Sequence, residues 1–476
     1  MQLTSFLFLI FFPIVFLAHW LAFSKNAKMQ NCFLLIASCI FYGWWDWRFL
    51  GLLLFTGVST FCAGLLMDRY IGQDNIRKTI NAICIILNIG ILFAFKYFNF
   101  FIEAFVDICQ LMGVEMPMSA LKIILPVGIS FYTFSALSYS IDVCQRKVKA
   151  VDDIWQYLAY ATFFPSILSG PVNRATKQLP QFMNLRKFDY EKAAEASKLI
   201  VWGLFVKLCV ADRLGIYVDT VYTNMAQHTG LTLLLATIVY TIQIYADFAG
   251  YSLMAIGTGG LLGIDLQNNF MRPYFATTVT DFWRRWHISL TTWFRDYVYF
   301  PLGGNRCSHA RWIFNTMVVF IVSGLWHGAA YTFLIWGAFH GLCMVVEKQI
   351  YGEKIKQLDT YLPKLNGLRM LATFAVVNFA WVCFRLGSVQ DVGYVLTQIV
   401  TLGGGNSLFF DATTLTLGFA SCLIMLCKDI ADERGWQIKL LHSNNSIVSG
   451  LTIVLLLSYT LLFGVLNGGS FIYFQF

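Results

Sequence analysis

Long apolar runs recur along the whole chain, and no other feature narrows its fold so far. They occupy 2–23, 30–44, 48–67, 79–97, 99–113, 120–142, 154–170, 195–211, 230–262, 313–334, 335–350, 367–386, 389–403, 412–428 and 446–468. A helix needs about 20 apolar residues to cross the hydrocarbon core of a bilayer. Backbone polar groups in lipid must be satisfied within the spanning structure, which leaves helices or closed barrels. Runs this long, without strict alternation, read as helices. The expected fold is therefore an all-α polytopic membrane protein, with ~10–12 transmembrane helices and a few re-entrant or interfacial pieces. Pro126, Pro165 and the glycines at 250, 257, 259, 260 and 263 interrupt several runs. Broken helices at membrane depth require protein or a watery cavity to cover the backbone. The first run, Leu3 to Phe23, lacks a basic leader and an A-x-A site, so it reads as a retained span and not a signal peptide.

Composition closes the alternatives. Charged residues make up 13% of the chain, against about 25% in soluble domains. A water-soluble core of 476 residues cannot hide 44 Phe, 22 Tyr and 14 Trp without leaving apolar patches in water. Disorder and secreted disulfide scaffolds are excluded on the same grounds. The net charge of +8 is a topological signal, because basic loops stay in the cytoplasm. Such loops carry Lys25, Lys28, Arg69, Arg77, Lys78, Arg146, Lys147, Lys149, Arg174, Lys177, Arg186 and Lys187. Too many fall on one side for simple up-and-down crossing, so hairpins or re-entrant segments are expected. No solvated basic domain exists to bind nucleic acid. The 12 cysteines are scattered singly, without metal or redox spacing, and read as small buried hydrophobes.

Residues 265–312 differ from the rest in being rich in both charge and aromatics. Within them, 280–299 reads as an amphipathic interfacial helix capped by Thr280 and ended by Pro301. Trp283, Trp286, Leu290, Trp293 and Tyr297 recur at three- and four-residue steps on one face. Arg284, Arg285, His287 and Arg295 lie largely off it, and Asp281 and Arg285 are i,i+4 partners.

Ionisable groups inside apolar runs are costly and point to function by default. His327 stands in the run 318–330, between Gly324 and Gly328, which permit close approach of a backbone or a substrate. From this environment alone it serves equally as a histidine bonded across helices or as a general base. His340, in the next run, reads as a packing or interhelical hydrogen-bonding group. His287 reads as a headgroup anchor, with Arg284 and Arg285 beside it able to hold a phosphate-bearing donor. Asp247 reads as the cap of a broken helix or an ion-pair partner, with a proton relay as the alternative. There is no GxSxG elbow, P-loop lysine, HExxH or metal-spaced Cys/His set, and neither His287 nor His327 has an Asp five residues on. No metal site is expected.

The longest distinctive block runs Asn269–Tyr274 (NFMRPY), Asp281–Leu290 (DFWRRWHISL) and Trp293–Arg306 (WFRDYVYFPLGGNR), followed by Gly324–Gly328 (GLWHG) and Trp336–Gly341 (WGAFHG). Supporting stretches are Leu125–Phe134, Ser169–Pro171, Gly203–Lys207, Tyr245–Gly257 and the terminal Phe471–Phe476. On these residues the chain resembles the membrane-bound O-acyltransferase family over nearly its whole length. The likeness is to the bacterial branch of alginate and polysaccharide O-acetyltransferase membrane subunits (AlgI-like), related to the D-alanyl-transferring DltB proteins. The resemblance implies one integral membrane domain over 1–476, with a helical fold around a central tunnel, in a bacterial cytoplasmic or inner membrane. It implies catalytic roles for His327 and His287. The donor is implied to be a cytoplasmic thioester, acetyl-CoA or a phosphopantetheine-linked acyl carrier, with no permanently bound cofactor. Arg284, Arg285, Arg295, Trp286 and Trp326 are the expected donor-binding residues. Asp247 and His340 are expected to be structural. An extracytoplasmic SGNH-type partner is expected to complete transfer to a polysaccharide. D-alanyl transfer from a carrier, a non-catalytic envelope scaffold and a proton-coupled transporter are the competing readings.

Overall fold

The structure is a computed structural model that describes all residues except 115–122, 169, 362, 406–408, 437–439, 467, 469–470 and 473–476. Part of the 120–142 run, Ser169 and the last four residues therefore lie outside the described residues. Among those described there is no strand, and one isolated antiparallel bridge pairs Thr229 with Gly404. The helices run α1 Phe6–Leu21, α2 Ala27–Gly43, α3 Leu50–Arg69, α4 Asp74–Lys96, α5 Phe98–Leu111, α6 Ile129–Cys144, α7 Ile154–Ala161, α8 Phe164–Ile167, α9 Ala175–Met183 and α10 Tyr190–Phe205. They continue as α11 Asp212–Thr223, α12 Gly230–Leu261, α13 Val279–Arg285, α14 Ile288–Phe294, α15 His309–His327, α16 Tyr331–Tyr351, α17 Leu358–Tyr361, α18 Asn366–Arg385, α19 Val389–Thr401, α20 Ala412–Glu433 and α21 Ser446–Phe463.

Six of the described helical segments are long and apolar enough to cross a membrane: Trp47–Arg69, Asp74–Lys96, Gly230–Leu261, Pro363–Arg385, Ala412–Glu433 and Ser446–Phe463. Phe6–Leu21 is a shorter apolar helix. Others of the expected spans fall on helices such as α15 and α16, whose apolar runs are interrupted by polar or small residues. On α21, Leu451, Val454, Leu455, Leu461 and Leu462 are exposed, as a lipid-facing row requires.

The chain divides into two compact units. The first comprises 1–196 and 255–266. Its helices pack largely through aromatic rings, and several of its buried polar groups pair across helices. Asn31 Nδ2 donates to the Phe182 carbonyl at 2.8 Å, and Arg186 Nη2 donates to Asn31 Oδ1 at 2.9 Å. The Thr60 and Tyr157 hydroxyls share a hydrogen bond of 2.8 Å. Such pairing is what buried polar groups need, since an unmet one costs about 1–3 kcal/mol.

The second unit comprises 197–254 and 267–476 and contains nearly every residue singled out for chemistry. Its core is aromatic, with Trp286, Trp336 and Trp381 fully buried. The antiparallel pair α15–α16 is its tightest junction. A Cβ on Gly324 would stand 2.2 Å from the Phe333 carbonyl oxygen, and one on Gly337 would stand 2.3 Å from that of Phe320. Only glycine lets the two backbones meet there, as small residues do between membrane helices. Between α10 and α11 the chain makes a π-helical segment, Val206–Ala211, a distortion that often marks functional positions.

Candidate active site

The segment read as one helix over 280–299 is broken. α13 ends at Arg285, α14 begins at Ile288, and the turn Arg295–Tyr299 widens to π geometry. His287 sits at the break with φ 43° and ψ 52°, in the left-handed region. A non-glycine residue pays of order 1–3 kcal/mol for such a conformation, and it persists only where its surroundings enforce it. Asn269 does much of the enforcing. Its carbonyl oxygen accepts from Ile288 N at 2.9 Å, and its side-chain oxygen accepts from Ser289 N at 3.2 Å and Ser289 Oγ at 2.7 Å. Its Nδ2 donates to Ser252 Oγ on α12 at 3.2 Å. The Met271 N–H donates to the Arg285 carbonyl at 2.9 Å, closing the other side of the break.

The helix cap also differs from the sequence expectation. Thr278, not Thr280, caps α13 by accepting from the Asp281 N–H at 3.0 Å. Thr280 instead donates its N–H and hydroxyl to Glu347 on α16, each at 2.9 Å. Long-range acceptance by a carboxylate thus overrides the local cap. The tryptophan face is not interfacial either: Trp283, Trp286 and Trp293 are buried within the unit. The Asp281–Arg285 pair forms as expected, at 2.8 Å.

His327 is the last residue of α15, and the Gly328 N–H closes the helix on the Gly324 carbonyl. Its ring lies edge-on to Trp326 at 5.0 Å, Trp336 at 5.0 Å and Phe384 at 5.2 Å between centroids. The His287 ring lies 6.4 Å away, and it in turn meets Trp326 at 5.9 Å and Phe248 at 4.7 Å. Both imidazoles are buried, at 2% and 1% exposure. Burial pushes the His287 imidazole, which lies outside the six candidate spans, down to about 3. It is neutral near pH 7 and carries one N–H donor and one acceptor.

The remaining expected residues separate into distinct surroundings. Trp326 borders both histidines. Trp286 is fully buried against Phe282, Phe270 and Trp381. Arg285 is committed to Asp281 and to Glu433, each at 2.8 Å, and Arg272 Nε takes the other Glu433 oxygen at 2.6 Å. These ion pairs join α13 to α20. Arg284 is exposed, and Arg295 is exposed beside Asp296 at 2.7 Å. His340 accepts from Trp283 Nε1 at 3.3 Å, linking α16 to α13. Asp247 accepts from Lys207 Nζ at 2.5 Å and from the Ile472 N–H at 2.8 Å.

Sequence reasoning missed three elements of this arrangement. One is Asn269, which clamps the break. Another is the buried cluster of Lys207 with Asp212, at 2.6 Å, and Asp247. The last is the C-terminal segment, where Phe471 packs on Phe248 at 5.4 Å and on Tyr251 at 4.8 Å, behind His287. The lysine in a wholly apolar run was the available signal for the cluster.

A helical fold with membrane-spanning segments, and two buried histidines on a broken segment and a helix end within one aromatic enclosure, defines a polytopic helical membrane protein. The chain belongs to the membrane-bound O-acyltransferase family, whose model matches residues 39–353. It is 37% identical over 394 residues to the probable alginate O-acetylase AlgI of Pseudomonas aeruginosa, covering 82% of this chain and 73% of that protein. It is 31% identical over 423 residues to a peptidoglycan O-acetyltransferase of Helicobacter pylori, covering 83% and 78%. A teichoic acid D-alanyltransferase of Bacillus subtilis is 29% identical over 272 residues, covering 54% and 67%. The chain is thus an integral membrane O-acyltransferase.

Proposed function

We propose that this enzyme, acting as one domain over 1–476, transfers an acetyl group from a cytoplasmic thioester to an acceptor hydroxyl, for O-acetylation of an extracytoplasmic polysaccharide. The reading rests on the pairing of His287 and His327, with ring centroids 6.4 Å apart in a buried aromatic enclosure. His327 takes the proton of the acceptor hydroxyl, and the oxygen attacks the thioester carbonyl. The His287 N–H faces the oxyanion of the tetrahedral intermediate, and its enforced left-handed backbone keeps it preorganised. Collapse breaks the carbon–sulfur bond, and the thiolate recovers the proton from the His327 imidazolium. No cysteine or serine nucleophile is needed. The aromatic walls exclude water, which would otherwise compete as the acceptor. Acetyl-CoA is the proposed donor, and an SGNH-type protein outside the membrane is the proposed receiver of the acetyl group. The acetyl assignment is supported by the higher identity to the O-acetylating relatives than to the D-alanylating one.

The test is thioester turnover in nanodiscs, comparing acetyl-CoA with an acylated carrier protein. Acetyl-CoA consumption in the wild type, with kcat lowered at least about 10³-fold in His327→Ala, is expected. Turnover of the carrier alone would replace the acetyl reading by a D-alanyl-type one. Turnover of neither donor, with partner and polymer added, would leave the scaffold reading.

A further inference from the structure

Two helix ends of opposite polarity flank the α15–α16 turn, and acyl transfer there would create two opposite charges. His327 is the last residue of α15, and α16 starts at Tyr331 after a connection of three residues. A helix C-terminus carries partial negative charge and an N-terminus partial positive charge. The end of α15 therefore favours a cation on its last residue, which is the imidazolium that His327 becomes when it acts as a base. The start of α16 favours an anion. First-turn N–H groups have no acceptors within their own helix. Ala330, at the cap position of α16, has no side chain able to accept from them.

Thr332 supplies a second, independent observation. It is fully buried in the first turn of α16, and its Oγ1 has no hydrogen-bond partner among the described residues. A buried hydroxyl left unmet is costly, and each one in a native fold calls for an explanation. Threonine hydroxyls in helices commonly bond the carbonyl three or four residues back, and this one does not. The side chain shares a face of α16 with that of Trp336, four residues on. Trp336 meets the His327 ring at 5.0 Å. Phe333 and Trp336 both pack on Phe384, at 5.0 and 5.4 Å, and Phe384 meets His327 at 5.2 Å. The first turn of α16 is therefore a wall of the histidine enclosure, with Thr332 about 6 Å along the helix axis from Trp336.

We propose that Thr332 is a catalytic residue whose hydroxyl, with its own N–H beside it, donates to the thioester carbonyl oxygen as that oxygen becomes negative. The inference rests on the acyl-transfer reading above and extends it, because it names a second oxyanion donor besides His287. In the step, the acceptor oxygen bonds to the carbonyl carbon and its proton passes to His327. The carbonyl π electrons move onto the oxygen that Thr332 holds. Their return breaks the carbon–sulfur bond, and the departing thiolate takes the proton from His327. Thr332 keeps its own proton throughout. One hairpin thus meets both charges of the intermediate, the imidazolium at the end of α15 and the oxyanion at the start of α16. A donor fixed in advance needs no reorganisation when the charge develops, and a hydroxyl with no competing partner is such a donor.

The experiment uses the full chain in nanodiscs, with steady-state kinetics and thermal unfolding measured for wild type, His327→Ala, Thr332→Val and Thr332→Ser. Acetyl-CoA and an acylated carrier protein are each used as donor, since both present the same thioester carbonyl. Valine keeps the branched shape and removes the hydroxyl, whereas serine keeps the hydroxyl. Thr332→Val is expected to lower kcat about 10²-fold with KM within about three-fold. Its unfolding midpoint should be unchanged or higher, because the variant removes an unmet buried polar group. Thr332→Ser should hold kcat within about five-fold of wild type. An unchanged kcat in Thr332→Val, with turnover lost in His327→Ala, would overturn this inference and leave the acyl-transfer reading intact. A lowered midpoint in Thr332→Val, or a loss of kcat that serine does not restore, would make Thr332 structural and overturn it. A rise in KM alone would make it a ground-state contact and overturn it as well. A wild type that turns over neither donor would overturn the acyl-transfer reading, and this inference with it.

Discussion

Asn269 shows how much one side chain contributes without touching a substrate. Its amide bonds at once to Ser252 and to the residue that follows Ile288, so it ties α12 to the His287 break. Asn269→Ala removes a donor and an acceptor, and with them the side-chain bonds to Ser252 and Ser289. The expected cost is about 2–3 kcal/mol of stability. Thermal unfolding followed by tryptophan fluorescence measures it, and kcat should fall more than KM rises, because His287 loses its enforced backbone. An unchanged kcat would mean that the break holds itself. Lys207 is the opposite case, a single cation between two buried carboxylates. Lys207→Met leaves both carboxylates buried without a cation and should destabilise by about 3–5 kcal/mol. Asp247→Asn keeps an acceptor for the Ile472 N–H and leaves Lys207 paired with Asp212, so its cost should be clearly smaller. Equal midpoints for the two variants in thermal unfolding would contradict this account.

At the scale of elements, the site depends on where helices stop and how closely they cross. α15 delivers His327 at its very end, and α16 turns back within three residues. The hairpin closes because Gly324 and Gly337 each face a carbonyl of the other helix. Gly324→Val would drive methyl groups into the Phe333 carbonyl and separate the helices, at about 3 kcal/mol. Since Trp336 is both a wall of the histidine enclosure and a neighbour of that crossing, activity should fall together with stability. A variant with wild-type turnover and unfolding temperature would show that the crossing has slack. The C-terminal segment belongs to the same scale. Ile472 donates its N–H to Asp247 while Phe471 covers Phe248, so a segment distant in sequence braces the back of His287.

Across the whole molecule, the balance of apolar exposure and buried aromatics is that of a chain solvated by lipid. Leu455 on α21 is 69% exposed within an unbroken apolar helix. Leu455→Lys should cost about 2.5–3.5 kcal/mol of insertion. Glycosylation-reporter insertion assays or membrane fractionation read this directly, and undiminished insertion would place that face away from lipid. The class of fold was legible because bilayer thickness imposes one length on every span, and length is readable in sequence. His327 stood out because an imidazole inside an apolar run is costly, whereas His287 read locally as a headgroup anchor and was singled out by the resemblance alone. Thr280 as a cap and an unbroken interfacial helix were misread. The sequence shows local partners, and the actual partners, Glu347 and Asn269, come from elsewhere in the chain.

Sequence by itself determined that this chain is a helical membrane protein, which residues are too polar for their runs, and the family to which their pattern belongs. These are matters of composition, period and local order, and they survive without any three-dimensional arrangement. Tertiary structure decided which of those residues meet. It paired Arg285 with Glu433, buried Trp286, broke the helix at His287 and set that ring 6.4 Å from His327. The reason is physical. A side chain's role depends on which groups share its low-dielectric surroundings, and packing brings together groups that lie 40 residues apart, as Lys207 and Asp247 do.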